Sequence, residues 1–229
     1  MPRWKIGIIG GGPGGLLTAR MLEQVAAVPP AITIFEASGR LGGKVVTERF
    51  ATLPVAYEVG AAEFYDYAEI DDDPLKELVK DLGLPIQVLG GSSLIHNDRL
   101  IGNLDDLRDS FGSDAAAALV DFHHLGRDRL SPREFYEALP VPQLDGPAGS
   151  SFETLLEGIS SPATRRHVER FIHSDLATEP SRTSRRYGLE NYLMNDPAYM
   201  QLYCIAGGNE QLITAIASQL AAEIRLNTP

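Results

Sequence analysis

The sequence predicts an α/β fold built on a parallel sheet, with a second, mainly helical region inserted into it. Three observations predict this. A short β-branched apolar run enters a glycine-rich turn and then a stretch of helical apolar spacing; a second apolar run follows and ends in an acid; and much later a Gly-Gly turn opens another helix and strand.

The elements follow in chain order. Lys5-Ile6-Gly7-Ile8-Ile9 is an unbroken apolar run of the kind expected in a strand buried on both faces. It ends in Gly10-Gly11-Gly12-Pro13-Gly14-Gly15. Leu16, Leu17, Ala19, Met21, Leu22 and Val25 then recur at helical spacing, Pro29-Pro30 stops the pattern, and Ile32-Thr33-Ile34-Phe35 starts a second strand. Gly10, Gly12 and Gly15 fit G-x-G-x-x-G, the fingerprint of a Rossmann-type dinucleotide-binding turn. Gly10 makes the tight turn, Gly12 lets the backbone approach a pyrophosphate, and Gly15 lets the helix lie close on the strand. Pro13 suits the first helical turn, and the free N–H groups at the Pro13-Gly14-Gly15 helix start point at the anion. Glu36, 21 residues past Gly15, is placed to accept hydrogen bonds from both ribose hydroxyls of an adenosine. A glycine-rich turn without a ligand is the competing reading, and the registered strand, helix, second strand and terminal acid weigh against it.

The same fingerprint serves NAD and FAD. The choice comes from Ala37-Ser38-Gly39-Arg40-Leu41-Gly42-Gly43-Lys44, which sets a guanidinium, two glycines and an ammonium just beyond the acid. Arg40 is placed to neutralise a pyrophosphate bidentately, and Gly42-Gly43 let the chain pass close beside a cofactor without Cβ clashes. NAD sites do not usually require this.

Glu36 followed by Arg40-x-Gly42-Gly43-Lys44 resembles the signature of the flavin-containing amine oxidase superfamily, whose relatives include L-amino-acid oxidases, protoporphyrinogen oxidase and phytoene desaturases. Tyr57-Glu58-Val59-Gly60-Ala61-Ala62-Glu63-Phe64 resembles the segment that, in those enzymes, passes the flavin ring next to the substrate cavity. The resemblance implies FAD as cofactor, held by Gly10, Gly12, Pro13, Gly14, Gly15, Glu36, Ala37, Arg40, Gly42, Gly43 and Lys44 and, at the ring, by Gly60, Ala61, Ala62 and Glu63. It also implies an amine or amino acid as substrate, oxidised by hydride transfer to the flavin. The imine then hydrolyses, and oxygen as acceptor yields peroxide. Relatives with the same motifs desaturate C–C bonds or oxidise porphyrinogens, so that alternative stays open, as does a non-catalytic nucleotide-binding subunit of a larger assembly. No residue is assigned a catalytic role.

From this reading residues 1–60 form the first FAD-binding segment, 61–205 a mainly helical substrate domain, and 206–229 an incomplete return to the sheet. Within the insertion, 74–82 is predicted helical and closed by Gly83, 86–89 a strand, and 93–95 with 99–101 a hairpin about His96-Asn97-Asp98. Ser131 to Glu134 and Ser150 to Glu153 offer capping boxes, and Ser161-Pro162 begins another helix with Val168, Phe171 and Ile172 on its apolar face. The stretch from Pro140 to Gly149 is the best internal linker. Gly207-Gly208-Asn209 opens a helix through Ala222, with Asn209 as its expected cap, and 223–227 reads as a strand. Family members run to about twice this length. A second polypeptide carrying the C-terminal half of the fold is therefore expected, whether encoded separately, produced by cleavage near Pro229, or absent because the sequence is a fragment.

Composition bounds the rest. The chain has 229 residues, 44% hydrophobic and 22% charged, with net charge −11; no apolar run approaches the roughly 18 residues of a spanning helix. Six consecutive Gly/Pro positions break the apolar start, which a signal-peptide core would not tolerate, so a cytoplasmic location is expected. Residues 61–160 carry 7 basic and 20 acidic groups, a field that repels nucleic acid and anionic membrane surfaces. A single cysteine, Cys204, excludes an internal disulfide. His123-His124 and His167 with His173 lack the spacing of a metal site. Arg165, Arg166, Arg170, Arg182, Arg185 and Arg186 form the one basic concentration of the later half, read as salt-bridged helix surface, a partner contact or a substrate-carboxylate site. Tyr187, Tyr192, Tyr199 and Tyr203 read as core, with a substrate funnel as the alternative.

Overall fold

A computed structural model describes residues 3–67, 71–91, 93–137 and 150–229. It divides into two compact units: 1–89 with 202–229, and 90–201. The expected linker from Pro140 to Gly149 lies outside the described residues.

The first unit begins with β1 (Lys5–Ile9), α1 (Pro13–Val25) and β2 (Ala31–Phe35). β1 and β2 pair in parallel from Lys5↔Ala31 to Ile9↔Phe35. The short hairpin β3 (Thr47–Arg49) and β4 (Ala56–Glu58) is followed by β5 (Phe64–Asp66), α2 (Pro74–Asp81) and β6 (Ile86–Val88). α2 starts where Asp73 accepts from the N–H groups of Leu75 and Lys76 and ends at Gly83, whose φ is +67°. The unit reaches Leu89, beyond the expected limit at residue 60. Leu75, Leu78, Val79, Leu82 and Ile86 pack into the same core as α1 and β2, and burial of such side chains contributes about 1.5–3 kcal/mol each.

The second unit holds the hairpin β7 (Leu94–His96) and β8 (Arg99–Ile101), then α3 (Leu104–Phe111), α4 (Ser113–Arg129), α5 (Pro132–Tyr136), α6 (Glu153–Leu156), α7 (Pro162–Leu176) and α8 (Arg185–Leu193). The β7–β8 turn is Asn97-Asp98, both left-handed at φ +47° and +62°. Ser131 and Glu134 form the full capping box of α5, and the Ser161 hydroxyl accepts from the Thr164 N–H at the start of α7. The second expected box fails: Phe152 takes the N-cap of α6 with no side-chain cap, because its ring is wholly buried while Ser151 bridges to Ser184. Helices α4, α7 and α8 close on Phe122, Phe152, Val168, Ile172, Leu189, Leu193 and Tyr199.

The chain re-enters the first unit through β9 (Gln201–Ile205), α9 (Glu210–Gln219) and β10 (Glu223–Arg225). β9 lies between β5 and β6, and β10 pairs in parallel with β2, so the parallel sheet has the order β1-β2-β10. α9 packs beside α1, and Leu16, Ala19, Ile32, Ile34, Leu212, Ile213 and Ile216 are buried between them and the sheet. The expectation that β1 is buried on both faces is corrected. Lys5, Gly7 and Ile9 are exposed, Ile9 to 95%, because both helices lie on the other face. Among the described residues β1 pairs with β2 alone.

Candidate functional site

The glycine turn leaves β1 with the Gly10 N–H donating to the Phe35 carbonyl at 2.8 Å, which sets the end of β1 against the end of β2. A Cβ on Gly15 would stand 1.9 Å from the Gly10 carbonyl oxygen, so only glycine lets α1 start this close to the strand. The opposite side of the turn is open. A Cβ on Gly12 would meet nothing nearer than the Gly43 backbone at 3.8 Å, and one on Gly14 nothing within 4 Å. The start of α1 has no side-chain cap and no acid in its first turn, which leaves the positive end of a 13-residue helix facing that hollow.

Glu36 stands at the rim. One carboxylate oxygen accepts from the Gly11 N–H at 2.7 Å, and the other accepts from the Ser38 N–H at 2.8 Å and the Ser38 hydroxyl at 2.7 Å. The Ser38 N–H, the Ser38 hydroxyl and the Gly11 N–H together hold its pKa down to about 2. The acid is therefore ionised and fixed beside the turn, with lone pairs left for further donors.

The segment after Glu36 folds back onto the glycines. The Gly42 N–H donates to the Gly11 carbonyl at 2.9 Å, and a Cβ on Gly43 would lie 3.3 Å from Gly12 Cα. The Arg40 guanidinium donates to the carbonyls of Leu41 at 3.0 Å and Gly43 at 2.7 Å. It closes its own turn. Ala37 and Lys44 are exposed. The Lys44 carbonyl accepts from the Ala61 N–H at 2.8 Å, and a Cβ on Gly60 would sit 1.8 Å from that oxygen, so Gly60 is required by close approach. Ala62 and Glu63 follow, both exposed.

The glycine turn, the Arg40 to Lys44 turn and the 60–63 segment thus touch in succession. A junction missed in the sequence ties them to the returning helix. Asn209, 0% exposed, accepts from the Ile205 N–H and donates to the Ala61 carbonyl, each at 2.9 Å. It does not cap α9 as expected. The Asn209 N–H donates instead to Glu58 at 2.8 Å, the Glu210 N–H to the Thr47 hydroxyl at 3.1 Å, and Thr47 donates to Glu58 at 2.9 Å. The available signal was Glu58 itself, an acid two residues before Gly60. A groove of about 410 Å³ opens beside this junction, lined by Thr47, Arg49, Leu84, Gly207, Gln211 and Thr214 among others.

Of the tyrosines, Tyr199 and Tyr203 are buried in cores, Tyr192 is half-buried beside Phe122, and Tyr187 is exposed.

The family model of flavin-containing amine oxidoreductases matches residues 13–229. The chain belongs to this family. FAD is the family's cofactor. A curated relative, the Lysine-specific histone demethylase 1 homolog 3 of Arabidopsis thaliana, is 31% identical over 147 residues, 59% of this chain and 9% of that protein. Among solved structures, cyclohexylamine oxidase from Brevibacterium oxydans IH-35A superposes with a TM-score of 0.60 at 22% identity, covering 100% of this chain and 52% of that one. Putrescine oxidase gives 0.58 at 20%, covering 99% and 51%. A fatty acid isomerase from P. acnes gives 0.56 at 17%, covering 96% and 51%. Likeness at this identity shows the fold and nothing finer. The chain spans about half the length of these structures.

The residues present fit the cofactor. An uncapped helix start facing an open hollow suits a pyrophosphate, and a fixed carboxylate at the rim suits ribose hydroxyls. No helix among the described residues is long and apolar enough to cross a membrane.

Proposed function

We propose that this chain forms the FAD-binding portion of an oxidoreductase acting on an amine or amino acid, and that a second polypeptide carrying the C-terminal half of the fold completes it. The observation that carries the reading is the hollow at Gly12 and Gly14 with the Glu36 carboxylate pinned at its rim. In this reading the N–H groups at the start of α1 bind the pyrophosphate and Glu36 accepts from the adenosine ribose. The turn closed by Arg40 lets Gly42 and Gly43 pass beside the cofactor, and the Gly60 to Glu63 segment borders the flavin ring. FAD held there would supply a two-electron, hydride-accepting centre for oxidation of a substrate C–H bond. The Asn209 junction holds the 60–63 segment in place, so that the substrate carbon is oriented rather than merely enclosed.

The face and edge of β1 that are bare among the described residues support the second polypeptide. Trp4 and Ile9 are 76% and 95% exposed, and an open parallel edge beside exposed apolar side chains is a surface that soluble proteins cover.

Gly12→Ala tests the cofactor assignment. Its Cβ fits the protein but occupies the space a pyrophosphate needs, so flavin absorbance should fall to background while the circular dichroism spectrum is unchanged. Full flavin retention in that variant overturns the assignment. Anaerobic bleaching of the assembled holoenzyme by an amine, with ammonia and peroxide released in air, supports the amine reading; bound flavin that no amine bleaches overturns it.

A further inference from the structure

Helices α3, α4 and α8 of the second unit do not close completely on one another. They leave a cavity of about 280 Å³, lined by Leu104, Leu119, Val120, His123, His124 and Tyr192. Leu119 and Tyr192 also pack on the core of the unit, so the fold fixes the back wall, while His124 is exposed at the mouth. Most of the wall is apolar, and an apolar cavity of about 150 Å³ already holds a benzene ring. A substituted aromatic ring fits the space.

Two polar groups of this wall are left without partners. His123 Nε2 stands 3.2 Å from Asp196 Oδ2, a wholly buried oxygen that no donor reaches in hydrogen-bond geometry. A carboxylate on that side keeps the ring proton on Nε2, so Nδ1 carries a lone pair, and among the described residues nothing donates to it. The Tyr192 ring is held edge-on to His123 at 6.1 Å between centroids, to Phe122 at 5.0 Å and to Phe171 at 6.3 Å. Its hydroxyl makes no hydrogen bond among the described residues. Burial first, and then Asp196, push the phenol pKa up, so the hydroxyl keeps its proton as a donor. An ordinary packing gap is lined by groups that are already satisfied, as the buried Tyr199 hydroxyl is by the Leu130 carbonyl. Here an acceptor and a donor stand unused on neighbouring rings of one cavity.

We propose that this cavity binds a small phenol, an aromatic ring carrying one hydroxyl group. The ring lies among Leu104, Leu119, Val120 and the edge of Tyr192, and its hydroxyl donates to His123 Nδ1 and accepts from the Tyr192 hydroxyl. Asp196 is a positioning residue, acting through the tautomer of His123. The site lies wholly within the second unit and is independent of the flavin reading.

The test is a calorimetric titration of the full chain, in whatever assembly it is isolated, at about pH 8, where free imidazole is neutral. The probes are para-cresol, its methyl ether, which keeps the ring but cannot donate, and para-methylcyclohexanol, which keeps the hydroxyl but lacks the aromatic ring. The histidine Cε1–H signals, followed by NMR and assigned with His123→Phe and His124→Gln, place the ligand. Para-cresol should bind saturably and shift the His123 signal. Each control should bind about tenfold more weakly, the worth of one hydrogen bond or one aromatic contact. In His123→Phe para-cresol should bind no better than its ether, and Val120→Phe, which fills the cavity, should bind neither while its circular dichroism spectrum is unchanged. Heat that never saturates, equal affinity for either control, a preference for para-cresol over its ether that persists in His123→Phe, or binding that survives in Val120→Phe overturns the proposal.

Discussion

Glu36 shows how much a single side chain carries here. The Ser38 N–H, the Ser38 hydroxyl and the Gly11 N–H bond its charged form and lower its pKa from 4.5 to about 2. A depressed folded pKa means that its contribution to stability is complete above pH 4.5 and is lost as pH falls towards about 2. The Tm difference between wild type and Glu36→Gln should therefore be constant at neutral and mildly acid pH and shrink only below 4.5. Glu36→Ala should also release flavin, read as free FAD after gel filtration. Gly15→Ala is the opposite kind of change from Gly12→Ala. Its Cβ would collide with the Gly10 carbonyl at 1.9 Å, so it should cost about 1–3 kcal/mol in urea unfolding, with or without flavin. Both glycines were legible from spacing alone. Their different jobs were half legible: the motif says why each lacks a side chain, and only coordinates say which clash is internal.

The elements were legible to the degree that their signals are local. The Ser131 box, the Ser161 cap, the Gly83 stop and the Asn97-Asp98 turn use bonds within a few residues, and each formed where the sequence placed it or within one or two positions. The expected Asn209 cap of α9 does not form because the donors there are served from 151 and 163 residues away, by Glu58 and Thr47. Asn209, freed from capping, bonds the Ile205 N–H and the Ala61 carbonyl instead. Asn209→Ala would strand these buried groups and should cost about 1–3 kcal/mol in denaturant unfolding. Glu58→Ala should cost about 0.5–2 kcal/mol by uncapping the helix, without stranding the Ala61 carbonyl. If the two losses together equal the loss in the double variant, the junction is a pair of independent contacts; a smaller joint loss shows one network.

At the scale of the whole molecule, among the described residues β1 pairs along one edge only and has one uncovered face. Its exposed Ile9 and the exposed Trp4, Met21 and Val25 nearby in sequence should make the isolated chain bind hydrophobic dye or self-associate, measured by fluorescence and light scattering. Co-expression with the C-terminal half of a family member should suppress both, and Ile9→Lys should weaken that rescue; a dye-negative monomer would refute the open-face argument. The sequence by itself determined the order of strand, glycine turn, helix, strand and acid, and the return through a Gly-Gly turn, because each is written in spacings of a few residues. Only the tertiary structure decided that β1 is covered on one side, that Arg40 clamps its own turn, and that Glu58, Thr47 and Asn209 join segments far apart in the chain. Burial and long-range hydrogen bonding depend on which surfaces meet, and no local pattern records that.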